Sequence, residues 1–178
     1  MIIFDNEIEL RKFKSFKEAV KAMISEEWFA GQLYLFYTSG LKSENIDSET
    51  YNLMKELFLD ELDDHYINLC KFAKMYEFRI PKNEEEFREY SSKVFVDAYD
   101  KTVLQNKDVK FYLEKSIEAE YEAIISYLSV LTQFESELNE MMDFKQIILN
   151  NYYEEIEHYD RLKTILDQIT CFENIGLM

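Results

Sequence analysis

The chain has two histidines in 178 residues, and a single internal repeat contains both. With an offset of 93 positions, EWFAGQLYL from Glu27 meets EYEAIISYL from Glu120; the two share Glu, an aromatic next to it, Ala three later, then Tyr-Leu. The same offset carries His65 onto His158, and Glu61, Tyr66 and Leu69 onto Glu154, Tyr159 and Leu162. A duplicated helical hairpin that served packing alone would preserve mainly its apolar positions. This one also preserves glutamate and histidine, whose carboxylate oxygens and imidazole nitrogens are metal ligands.

Helical spacing selects which acids matter. Leu113, Ile117, Glu120, Ile124, Tyr127, Leu131 and Phe134 recur in steps of four and three, and Glu120 is the one charge among them, with Glu118 and Glu122 off the stripe. Val20, Ile24, Glu27, Gly31 and Tyr34, with Leu41 further on, again hold one charge, Glu27. Ile148, Tyr152, Glu155, Tyr159, Leu162, Leu166 and Ile169 select Glu155, and His158 follows one turn later on the same side. Met54, Leu57, Glu61, His65, Leu69 and Phe72 keep the pace of a straight α-helix, so Glu61 and His65 share its inward face.

Four inward glutamates need a compensating charge. An unpaired buried carboxylate costs several kcal/mol, so four would cancel roughly the stability of a whole domain. The stripes hold no Lys or Arg, whereas two divalent cations would balance the four charges. Four carboxylates and two imidazoles without a thiolate suit iron or manganese better than structural zinc.

The elements that must position these groups are four long helices, near 15–40, 47–78, 107–134 and 138–170. Sustained apolar–polar alternation, the strand signal, is missing. Gly40, Pro81 and Gly176 fall outside the periodic segments, and Gly31, inside one, lets a neighbouring helix approach. Asp47 or Ser48 caps the second helix. The first and last joints are short, making two antiparallel hairpins. The middle joint, around Pro81, is long enough to run the length of a bundle, and its segment EEEFREYSSKVFVDAYD forms a short helix. The expectation is one all-α domain over 1–178, a four-helix bundle whose two hairpins are joined by a long crossover.

Composition narrows the function. A formal charge of −16 disfavours nucleic acid, which is bound by neutralising phosphates. The basic group Arg11, Lys12, Lys14 and Lys17, interrupted by Phe13 and Phe16, reads as the solvated face of a helix start. Cys70 and Cys171 form no C-x-x-C pair and read as small buried hydrophobes. The start, MIIFDNEIEL, has neither a basic n-region nor a long apolar core, and no apolar run approaches a membrane span. The expected setting is cytoplasmic, away from membranes.

On these residues the chain resembles the ferritin-like di-iron carboxylate superfamily (bacterioferritin, Dps-like and rubrerythrin-like bundles), which takes one Glu from each of two helices and a Glu-x-x-His pair from each of the other two. Glu27, with Ala30 and Tyr34 after it, looks like the first-helix ligand of bacterioferritin-type proteins. Glu120 looks like the third-helix ligand, and Glu155 with His158 matches the fourth-helix pair. The second helix departs from the pattern: in DELDDHY the residue three before His65 is Leu62. Either Glu61 reaches the site, directly or through a π-bulge, or Asp64 substitutes, or the half-site is weakened. Glu61 is the preferred ligand, with Asp64 and Glu154 in reserve. Leu62 stands near where bacterioferritins carry their haem-ligating methionine, so haem is not expected.

The resemblance implies a ferroxidase-type oxidoreductase with two iron ions, or manganese, about 3.5 to 4 Å apart. Glu61 and Glu155 would bridge, Glu27 and Glu120 would be terminal, and His65 and His158 would each give one nitrogen. Dioxygen or hydrogen peroxide would be the oxidant, and iron storage would need a homo-oligomeric shell. Tyr34 and Tyr127, two turns beyond the terminal glutamates, are either ligand hydrogen-bonders, electron donors or plain core tyrosines, and Trp28 reads as packing. The competing readings are a non-storing oxidase or peroxidase of rubrerythrin type, here without a rubredoxin-like cysteine module, and a metal-free helical interaction protein, which Leu62 would favour.

Overall fold

The computed structural model describes residues 9–41, 48–104 and 109–175. Within them the first long helix is α1 (Phe16–Leu41), and the second runs from α2 (Ser48–Leu59) through a π-helical stretch, Asp60–Tyr66, into α3 (Ile67–Met75). The crossover carries α4 (Glu84–Tyr90) and α5 (Lys93–Leu104). The third long helix is α6 (Val109–Gln133). A short α7 (Glu135–Glu140) precedes the fourth, α8 (Met142–Ile175). Strands are absent among the described residues, and no described helix is long and apolar enough to cross a membrane. The expected Asp47 cap and Gly176, like the first eight residues, lie outside the described part.

Local chemistry sets the boundaries. The Ser15 hydroxyl accepts from the Glu18 N–H at 3.2 Å where α1 begins, and Asn83 caps α4 by accepting from Glu86 N–H at 3.0 Å. The second helix ends in a Schellman turn, Phe78 N–H to Ala73 O (2.7 Å) and Glu77 N–H to Lys74 O (3.2 Å), with Glu77 at φ 56°. Pro81 follows and the crossover begins. Its segment is two helices broken at Ser91, not one, and both pack against α1.

α6 packs along α8, α1 along α2, and α1 against α6. The crossover helix α5 covers the α1–α6 side, where Trp28 stacks on Phe87 of α4 with ring centroids 4.6 Å apart. Trp28 is therefore a packing residue, as expected from the sequence. The stripe of α1 from Val20 to Tyr34 and that of the second helix are buried as spaced; on α8 the stripe drifts. Its buried members are Phe144, Ile148, Asn151, Glu155, His158, Leu162 and Ile165, while Tyr152, Tyr159, Leu166 and Ile169 sit half-buried to one side.

Two further expectations are corrected. Arg11 lies in the irregular chain ahead of α1 and pairs with the buried Glu26, so it is not part of a solvated helix face. Cys171 is exposed and Cys70 only half-buried; neither is a core residue.

Candidate metal centre

The second helix is not the straight α-helix that its stripe suggests: through DELDDHY it is π-helical. The π stretch Asp60–Tyr66 widens the turn, and with the wider turn the steps of four from Leu57 to Glu61 to His65 to Leu69 stay on one face, each of these residues at most 1% exposed. Leu62 is thereby aimed at α1, where its side chain fills the space in front of Gly31. That is the close approach expected of this glycine. Asp64 faces solvent and accepts from Asn68, so it is not brought to the core.

Six side chains converge between the four long helices. Glu27, Glu61, His65 and Glu155 form one group with a ligand atom from each within 4.8 Å of the others, and Glu61, Glu120, Glu155 and His158 form a second. Glu61 and Glu155 belong to both. His65 Nδ1 stands 3.0 Å from Glu155, 3.4 Å from Glu27 and 3.7 Å from Glu61. His158 Nδ1 stands 3.3 Å from Glu61, 3.6 Å from Glu120 and 3.8 Å from Glu155. The rings face each other across the cluster, centroids 6.0 Å apart and inclined by 20°.

Outside the six, each imidazole meets a further carboxylate through its other nitrogen: His65 Nε2 to Glu154 at 2.8 Å, and His158 Nε2 to Asp60 at 3.5 Å. An acid on Nε2 favours the tautomer that leaves the Nδ1 lone pair free for a metal. Glu154 was held in reserve as a ligand; its place is against the far side of His65. Asp60 carries no signal in the repeat, whose matching position holds Tyr153.

The tyrosines cross between halves. Tyr34 on α1 donates to Glu120 on α6, and Tyr127 on α6 donates to Glu27 on α1. Both are therefore hydrogen-bonded to the carboxylates of the opposite helix. Tyr127 also accepts from Asn151 at 2.9 Å, whereas the repeat position of Asn151 is Phe58.

Protons hold the charge of the metal-free cluster in balance. Burial, with Glu61 and Glu155 next, pushes Glu27 well above the ordinary carboxylate range, and burial with Glu155 does the same to Glu120. Burial and Glu155 also push Glu61 upward, but its contacts with both imidazoles prevail and hold it low. Glu155 is held low in the same way: burial raises it, while Glu120, His158 and His65 together outweigh that. Both imidazoles hold protons above their usual value, since the surrounding acids outweigh the burial that opposes a charged ring. Two imidazolium ions facing two carboxylates leave the protonated cluster neutral. The donor set fits two divalent cations, because seven ligand atoms drawn from all six side chains, Glu27 Oε2, Glu61 Oε1, Glu120 Oε2, both oxygens of Glu155 and both Nδ1 atoms, are buried without a hydrogen-bond partner.

Four long helices in two hairpins with a long crossover, enclosing a carboxylate and histidine cluster, define the ferritin-like class of bundle. Two solved structures share the fold: variants of the ferritin PmFTN soaked in iron, one for 5 min and one overnight. The first has 12% sequence identity over 88% of this chain and 89% of its own, with a TM-score of 0.59. The second has 14% identity over 87% of each, with a TM-score of 0.58. No family model matches the sequence, and no curated protein does. The chain has the ferritin-like fold; what its cluster does rests on the cluster.

Proposed function

We propose that this chain is an iron-oxidising ferritin-like protein, with Fe(II) as substrate at two adjoining positions inside the bundle. The observation that carries the reading is that Glu61 and Glu155 each belong to both ligand groups, while each group has its own histidine and its own second glutamate. That is the donor arrangement of a bridged pair. Iron brings the redox chemistry: each Fe(II) gives up one electron, and a pair supplies the two that take dioxygen to hydrogen peroxide or hydrogen peroxide to water.

The residues have separable roles. Glu61 and Glu155 bridge, and their low proton affinity keeps them available as anions. Glu27 and Glu120 are terminal ligands, each oriented by a tyrosine from the facing helix. His65 and His158 give Nδ1, with Glu154 and Asp60 fixing the rings. Four carboxylates favour the higher ferric charge over the ferrous one, which drives the oxidation. The same donors accept manganese, for which a non-storing oxidase or peroxidase is the corresponding reading. Leu62 favours a metal-free bundle; Glu61 beside the other five donors supports the metal-binding reading over it.

Mixing Fe(II)-loaded protein with oxygen or hydrogen peroxide is the test. Rapid ferric absorbance at two irons per chain supports the reading; no stoichiometric iron and an unchanged melting temperature overturn it. Storage is decided by native mass, because it requires a hollow homo-oligomer, and a monomer or dimer restricts the protein to oxidation.

A further inference from the structure

The seam between the second and fourth long helices closes at one end only. There Phe72 of α3 stacks on Phe144 of α8, ring centroids 3.3 Å apart. Toward the start of the second helix, α2 packs on α1 and hardly touches α8. The gap is a solvent-open groove of about 810 Å³, which follows α8 from Tyr153 to Gln168, about four turns, and α2 from Ser48 to Glu56, about two.

Its floor is apolar and its rim acidic. Leu53 and Ile165 form the buried floor with Ile156 half-buried beside them, and Tyr153 stands 64% exposed at the edge. Four carboxylates, on Glu49, Glu56, Glu157 and Asp160, face a single base, Arg161. Arg161 is already taken: it donates to both oxygens of Glu56 across the groove, at 2.7 and 3.3 Å. Glu49, Glu157 and Asp160 have no ion-pair partner among the described residues. An apolar patch rimmed by polar groups is the usual form of an interaction site. A slot between two helices takes the apolar face of a third, and unpaired acids along its rim select an occupant with basic residues beside that face.

We propose that this groove docks an amphipathic helix of a partner protein, about two to four turns long, apolar on one face and flanked by Lys or Arg. Charge argues against a second copy, since two chains at −16 repel. The basic group around Arg11 offers no apolar face to such a groove: Phe16 is buried, and Phe13 lies under the Arg11 guanidinium at 4.9 Å. The segment MIIFDNEI brings acids and no Lys or Arg. Docking here is independent of the metal centre.

The probe is a synthetic peptide of leucine and lysine, about four helical turns long with the leucines on one face. A scrambled peptide of the same composition controls for charge alone. Titrated against the full chain by fluorescence anisotropy, the amphipathic peptide should saturate one site, bind at least tenfold more tightly than the scrambled one, and weaken in high salt. Tyr153→Ala and Glu49→Lys, both at exposed positions, should each weaken it at least fivefold. Glu140→Lys, an equal charge change on exposed α7, should leave it within twofold. No saturable binding by the parent, equal binding of the scrambled peptide, parent-like binding by either groove variant, or equal weakening by Glu49→Lys and Glu140→Lys overturns the proposal. Concentration-dependent dimerisation that Tyr153→Ala abolishes would give the groove to a second copy and overturns it as well.

Discussion

Leu62 in the π turn rests on Gly31 of α1, so close that a Cβ on the glycine would overlap its side chain. Gly31→Ala therefore forces Leu62 and the π turn to shift. Overpacking costs about 1–3 kcal/mol, against up to about 1 kcal/mol regained in helix propensity, so a net loss of stability is expected in denaturant melts of the metal-free protein. Leu62→Ala should relieve it, and a double-mutant cycle with strong coupling is the check. Leu62→Glu places a charge against α1 and adds no ligand, so it should lower stability and leave the metal count at or below that of the parent.

Glu154→Gln and Asp60→Asn should each weaken one metal position and spare the other. Each acid contacts the Nε2 of a single imidazole. Losing such a partner typically costs 10–100-fold in metal affinity. Anaerobic Fe(II) titrations should turn from two similar equivalents into one tight and one weak; equal weakening of both would contradict the assignment.

Tyr34→Phe and Tyr127→Phe should differ although the repeat makes them equivalent. Each removes the donor to a terminal glutamate, but Tyr127→Phe also strands the buried Asn151 amide. An unsatisfied buried group costs about 1–3 kcal/mol, so Tyr127→Phe should melt lower than Tyr34→Phe, with both retaining two metals. Equal melting temperatures would show that Asn151 finds another partner.

The metal-free and loaded proteins should respond to pH in opposite directions. Folding raises the proton affinity of Glu27 and Glu120 above their ordinary 4.5 and of His65 and His158 above 6.5, so their contribution is complete below those values and is lost as pH rises through the folded ones. Glu61 and Glu155 are lowered, and their contribution is lost only in acid. From mildly acid to alkaline pH the metal-free protein should thus become less stable. Metal must displace the held protons, so affinity should climb with pH and loading should release roughly four protons per pair of ions. Melting scans and a weakly buffered titration check both signs; a metal-free protein that gains stability with rising pH would refute them.

The two hairpins, the crossover and the six converging residues were legible because a buried charge in an apolar stripe is conspicuous at helical spacing, and the repeat supplied both histidines at once. The fit of Leu62 was not legible, since a π turn changes which residue faces inward without changing composition. On α8, seven turns of drift moved the buried face to Asn151 and Ile165, away from Tyr152 and Leu166. Glu26 was hidden by its neighbour: Glu27 already occupied the stripe, and the partner that reveals Glu26 is Arg11, fifteen residues earlier in the irregular chain ahead of α1. A lone arginine near two aromatic residues was the available signal, and it read equally well as surface.

The shared role of Glu61 is the most direct point of attack. Anaerobic Fe(II) titration of the parent chain and of Glu61→Ala, followed by calorimetry or by the ferrous near-infrared bands, separates the outcomes. Two ions per chain in the parent, with both lost or both weakened more than tenfold in Glu61→Ala, is the expected result. Two tight ions retained in Glu61→Ala, or none in the parent, would contradict a centre bridged through this residue.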